Sequence, residues 1–77
     1  MRKNFSKRIS VDGKTLLAVI IPEHRKDGMY YEVNVKGYPR FYMRWSTSDR
    51  YEVVPGDFAV PYEVALAVSD AIEERAK

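Results

Sequence analysis

The sequence predicts an α+β domain, a three- to four-stranded antiparallel meander packed against one carboxy-terminal helix. Three observations carry this expectation. Asp12-Gly13 and Asp27-Gly28 each stand beside apolar or aromatic stretches, and Asp-Gly readily supplies the backbone angles of tight hairpins. Residues 29–36 and 40–45 alternate with the two-residue period of strands. From Pro61 onward the period lengthens, and Val64, Val68, Ala71 and Ile72 form a stripe at helical spacing. With 77 residues, the chain is expected to be one domain. We divide it into a basic amino-terminal segment at 1–7, an antiparallel sheet at 8–54 and a helix at 61–76.

The elements follow in order. A type I′ turn at Asp12-Gly13 sets Ile9 opposite Leu16 and Phe5 opposite Ile20. The second strand, Leu-Leu-Ala-Val-Ile-Ile at 16–21, is apolar on both faces, so it is central and should end at Pro22. Residues 23–28 then read as a polar loop, and a third strand covers 29–36. A three-residue loop, Gly37-Tyr38-Pro39, leads to a fourth strand at 40–45. That loop length predicts Val35 opposite Phe41, Val33 opposite Met43 and Tyr31 opposite Trp45, all on one face. With Met29, these seven residues form the expected core. The other face pairs Glu32 with Arg44 and Lys36 with Arg40, with Tyr30 and Tyr42 among them. Residues 46–50 read as a turn cluster, and 51–54 as a short strand. Proline suits the first turn of the helix that follows, where Glu63 complements the dipole.

A domain this small buries only about 60% of the surface its unfolded chain exposes, and with no cysteine no disulfide reinforces it. The absence of cysteine fits a reducing compartment. The amino-terminal residues lack the apolar run of a secretory signal, and no apolar stretch is long enough to span a bilayer. A cytoplasmic location is expected, without membrane association. The net charge is +2, but it is split: residues 1–50 carry a balance of +6 and residues 51–77 a balance of −4. Such a split predicts one basic surface, which attracts anions, and one acidic surface.

No catalytic arrangement stands out. His24 is the single histidine; its spacing to nearby carboxylates matches no metal-ligand pattern, and it reads as a solvated loop side chain. Ser46 and Ser48 have no partnered base, and there is no glycine-rich phosphate loop. We expect no enzyme activity, cofactor, metal or small-molecule substrate. The outer face of strands three and four offers more. Facing cations at Lys36 and Arg40 are mildly destabilising unless an anion sits between them, and tyrosines can stack on bases or donate to phosphate oxygens. Leu17, Val19 and Ile21 point to the same side from strand two and need cover, from the tyrosines, the amino-terminal residues or a second subunit.

Three motifs carry a family resemblance: Arg25-Lys26-Asp27-Gly28 ahead of an aromatic strand, Gly37-x-Pro39-x-Phe41 leading to Trp45, and Val54-Pro55 ahead of the final helix. Over roughly residues 16–75 the chain resembles the amino-terminal arm-type DNA-binding domain of conjugative-transposon tyrosine recombinases (integrases). The resemblance implies a three-stranded sheet on a carboxy-terminal helix, with the sheet inserted into the DNA major groove. Where that family places basic residues on the strand after the Asp-Gly turn, this sequence has Met29, Tyr31 and Val33. DNA contact would therefore fall to Arg25, Lys26, Lys36, Arg40, Tyr42 and Arg44. The expected function is a small non-enzymatic module for duplex DNA. The alternative is a protein-interaction module of unknown role, or a homodimer formed through the outer face of strand two.

Overall fold

In a computed structural model, which describes residues 4–46, 50–56 and 58–76, five antiparallel strands form a meander and one helix closes it. The strands are β1 (Phe5–Val11), β2 (Lys14–Arg25), β3 (Gly28–Val35), β4 (Phe41–Trp45) and β5 (Tyr51–Val53), in that spatial order. Helix α1 (Tyr62–Ala76) lies across the curved sheet and packs against β1 and β5. The α+β class is as expected, and the short strand read at 51–54 joins the meander as its fifth strand, at Tyr51–Val53. The boundaries also move. The sheet begins at Phe5 instead of residue 8, taking in part of the segment expected to precede it, and the helix begins at Tyr62.

The first hairpin forms in the expected register. Asp12 and Gly13 have φ of 54° and 77°, the two positive angles of a type I′ turn. Ile9 pairs with Leu16 and Phe5 with Ile20. β2 does not stop at Pro22 but continues to Arg25, so residues expected in a loop extend the second hairpin to a Lys26-Asp27 tip. Backbone geometry explains why the proline is tolerated. Lys36 N–H donates to Leu17 C=O at 3.3 Å, so the odd residues of β2 turn their polar groups toward β3 and the even ones toward β1. Pro22 therefore lacks its N–H on the β1 side, two residues past Ile20, the last β2 residue paired with the described residues of β1, so no described ladder bond is lost.

The third hairpin departs from expectation by two residues. Val33 pairs with Phe41, Tyr31 with Met43, Glu32 with Tyr42 and Tyr30 with Arg44. The turn starts earlier than expected: Tyr38 N–H donates to Val35 C=O at 3.0 Å, and Gly37 has φ of 92°. A positive φ at the third turn residue is the mark of a type II turn. Pro39, which cannot donate to a ladder, stays in the connection with Arg40. An even slip keeps every side chain on its predicted face but changes its partner. The expected oppositions of Lys36 to Arg40 and of Glu32 to Arg44 are absent.

The core lies between the concave face of the sheet and the helix. Ala18, Ile20, Val33, Val35, Phe41 and Met43 meet Val64, Val68, Ala71 and Ile72, all buried. The helix stripe is the one its spacing predicted. Pro61 C=O accepts from Val64 N–H and Ala65 N–H at 3.1 Å each, so proline sits at the cap, where its missing N–H costs nothing. Trp45 is a correction: expected in the core, it is 51% exposed. It ends β4 opposite Tyr51, beyond the Tyr31–Met43–Val53 row with which the enclosed part of the sheet finishes. Its ring meets Tyr51 edge-on, with centroids 4.8 Å apart. Met29, also assigned to the core, is only half-buried. Thr47 to Asp49, within the expected turn cluster, lie outside the described residues, as do Met1 to Lys3, Asp57 and Lys77.

Candidate nucleic-acid interface

Strand alternation sends Arg8 of β1, Leu17, Val19 and Ile21 of β2, Tyr30, Glu32 and Asn34 of β3, and Tyr42 and Arg44 of β4 to the convex face, away from α1. Arg25 ends β2 on the same side, Lys26 stands at the hairpin tip, and Lys36 and Arg40 flank the β3–β4 connection. All six residues expected to contact DNA thus lie on this face or its rim. They do not form one cluster of unpaired cations.

Arg25 is the most engaged of them. Its Nε donates to Glu23 Oε1 at 3.0 Å, two residues back on the same strand face. Its guanidinium lies 4.2 Å from the Tyr30 ring centroid and 4.9 Å from that of Tyr42, an arrangement favoured by the negative ring faces. The Glu23 hydrogen bond holds the Arg25 pKa above its ordinary value. Tyr30, expected on a solvated surface, is only 6% exposed. Arg25 covers its ring, and its hydroxyl donates to Asp27 Oδ2 at 2.6 Å. That hydrogen bond is the main reason the Asp27 carboxyl titrates below the usual range.

Glu32 organises the next row. Asn34 Nδ2 donates to its Oε2 at 3.0 Å, Tyr42 Oη donates to its Oε1 at 3.4 Å, and Arg40 Nη1 stands 3.8 Å from the same oxygen. The slipped register makes this possible, since it sets Glu32 beside Tyr42 and brings Arg40 within reach. Arg40 also lies 6.0 Å from the Tyr42 ring centroid. Arg25 and Arg40 are therefore both neutralised and both set against tyrosine. Arg8, Lys26, Lys36 and Arg44 are exposed and form no ion pair among the described residues.

Sequence reasoning assigns the face of each residue but misses the part played by Glu23 and Asp27. Both read as loop residues when β2 is ended at Pro22. The signal is nonetheless present: Glu23 and Arg25 share one strand face, two residues apart, once the hairpin is carried to Lys26-Asp27. Among the described residues, no group of three or more His, Cys, Asp or Glu is placed to hold a metal ion. No helix among them is long and apolar enough to cross a membrane. Comparison of the chain with protein-family models, curated proteins and solved structures finds no match.

Proposed function

We propose that this chain is a small non-enzymatic module that binds duplex DNA on the convex face of its sheet, anchoring on backbone phosphates. One observation carries the reading. Exposed, unpaired cations at Arg8, Lys26, Lys36 and Arg44 lie on that face or its rim, while Glu63, Asp70, Glu73 and Glu74 lie on the helix behind the sheet. With Arg25 and Arg40, the cations of this face outnumber its carboxylates, Glu23, Asp27, Glu32 and Glu52, and a net positive surface concentrates an anionic polymer near it. Guanidinium groups already lie over Tyr30 and Tyr42, so these rings are poor platforms for unstacked bases. Phosphate contact is the mode that remains, and a duplex offers the denser array of phosphate charge.

The test is an electrophoretic titration with duplex and single-stranded DNA at two salt concentrations. Lys36→Ala with Arg44→Ala removes two unpaired cations and should flatten the slope of log affinity against log salt by about 1.8, since each neutralised phosphate accounts for about 0.9. Arg25→Ala should flatten it less, because Glu23 already holds that charge. Glu63→Ala with Glu73→Ala should leave binding unchanged or slightly stronger. Absence of binding at low salt, or equal weakening by the lysine–arginine and glutamate pairs, overturns the reading.

A further inference from the structure

The two sides of the molecule carry patterns that match each other. On the convex face, Leu17 is 48% exposed and stands between Arg8 on β1 and Lys36, the residue just past the end of β3. On the helix, Leu66 is 46% exposed and stands between Glu63 and Asp70, three residues before it and four after, on the solvent side of α1. The spacings agree: Arg8 and Lys36 are two strands apart, about 9.6 Å, and Glu63 and Asp70 are two turns apart, about 10.5 Å. None of these four charged side chains has an ion pair among the described residues. Tyr62, 69% exposed, extends the apolar part of the helix surface, and half-buried Val19 and Ile21 extend that of the sheet.

From this complementarity we infer that the convex sheet face of one copy takes the acidic outer face of α1 of a second copy. The leucines meet at the centre, and Arg8 and Lys36 pair with Glu63 and Asp70. The inference goes beyond DNA binding and does not depend on it. Its symmetry is distinctive. The two surfaces lie on opposite sides of one molecule, so a two-fold dimer cannot satisfy both, and the contact is head-to-tail. A second copy would thereby cover the one apolar column of the sheet that α1 leaves open, and a sheet with helices on both faces is an ordinary layered arrangement.

Head-to-tail contact permits a test that a two-fold dimer does not. Leu17→Glu places a negative charge on the sheet face, and Leu66→Lys a positive charge on the helix face; each variant keeps one intact surface. Sedimentation without DNA at low salt should show the parent's mass rising from micromolar to millimolar concentration and returning to the monomer when salt is raised. Each variant alone should stay monomeric. An equimolar mixture should assemble again, to two copies or more, because Leu17→Glu still offers its helix and Leu66→Lys still offers its sheet. Arg8→Glu with Lys36→Glu, mixed with Glu63→Lys with Asp70→Lys, repeats the test at exposed positions should a leucine variant lose its parent-like circular dichroism. A parent that stays monomeric at low salt overturns the inference. So does a mixture that stays monomeric while the parent assembles, or a leucine variant that assembles as the parent does.

Discussion

Phe41 and Trp45 stand four residues apart on the same face of β4, yet their removal should cost very different amounts. Phe41 is 5% exposed and belongs to the core, so Phe41→Ala leaves a cavity and should cost about 3–5 kcal/mol. Trp45 is 51% exposed, so about half of the roughly 200 Å² that an enclosed tryptophan buries is removed from water. At about 25 cal/mol per Å², that half is worth about 2.5 kcal/mol. Allowing for surface the unfolded chain already hides lowers it to about 1.5–2.2 kcal/mol. The edge contact with Tyr51 adds about 0.5 kcal/mol, and no closed cavity forms. Trp45→Ala should therefore cost about 2 kcal/mol, or about 8–16 °C in Tm at this chain length. The assay is urea unfolding followed by far-ultraviolet circular dichroism, because the substitution removes the single tryptophan and with it its fluorescence. A destabilisation by Trp45→Ala equal to that by Phe41→Ala would mean that the core encloses both ends of β4, and the placement of α1 would be wrong.

Three further outcomes are expected. Gly13→Ala, at φ of 77°, should destabilise the domain by about 1 kcal/mol in the same unfolding assay, while Gly56→Ala, whose φ is not positive and whose new methyl group meets only ordinary contact, should be near neutral. The Asp27 carboxyl has a folded pKa below its unfolded one; its contribution to stability is present at neutral pH and is lost as pH falls through the folded value. Carbon-detected NMR titration should show Asp27 of Tyr30→Phe returning toward the ordinary aspartate range. Lys7 and Glu74 pair at 2.7 Å with side chains 38% and 65% exposed, so Lys7→Ala should cost under about 1 kcal/mol, and less at high salt.

Much of the fold is legible in the sequence because its strongest signals are local. Asp12-Gly13 determines its own turn, and with it the Ile9–Leu16 and Phe5–Ile20 pairs. Val64, Val68, Ala71 and Ile72 follow from the pitch of a helix. What is not legible depends on partners distant in the chain. Whether Pro22 ends β2 depends on where β1 ends, since a proline past the last pair breaks no ladder. Whether Trp45 is enclosed depends on how far across the sheet α1 reaches, which no residue near Trp45 encodes.

The candidate site shows the same division at finer grain. Faces survive a two-residue slip, so the convex side of Arg40, Tyr42 and Arg44 can be read from alternation alone. Pairings do not survive it, and the electrostatics of a site are made of pairings. In the expected register Lys36 and Arg40 face each other, and a bound anion would relieve their repulsion. In the observed register Arg40 lies near Glu32, and Lys36 stands next to Leu17 on β2. The unpaired positive charge moves accordingly, from the centre of the β3–β4 hairpin to Arg8 and Lys36 at one end of the face and Lys26 and Arg44 at the other. A ligand that tracked the hairpin would meet an arginine already neutralised. One that spans the convex face from end to end, as a duplex or a second helix does, meets all four unpaired cations with the apolar column of β2 between them.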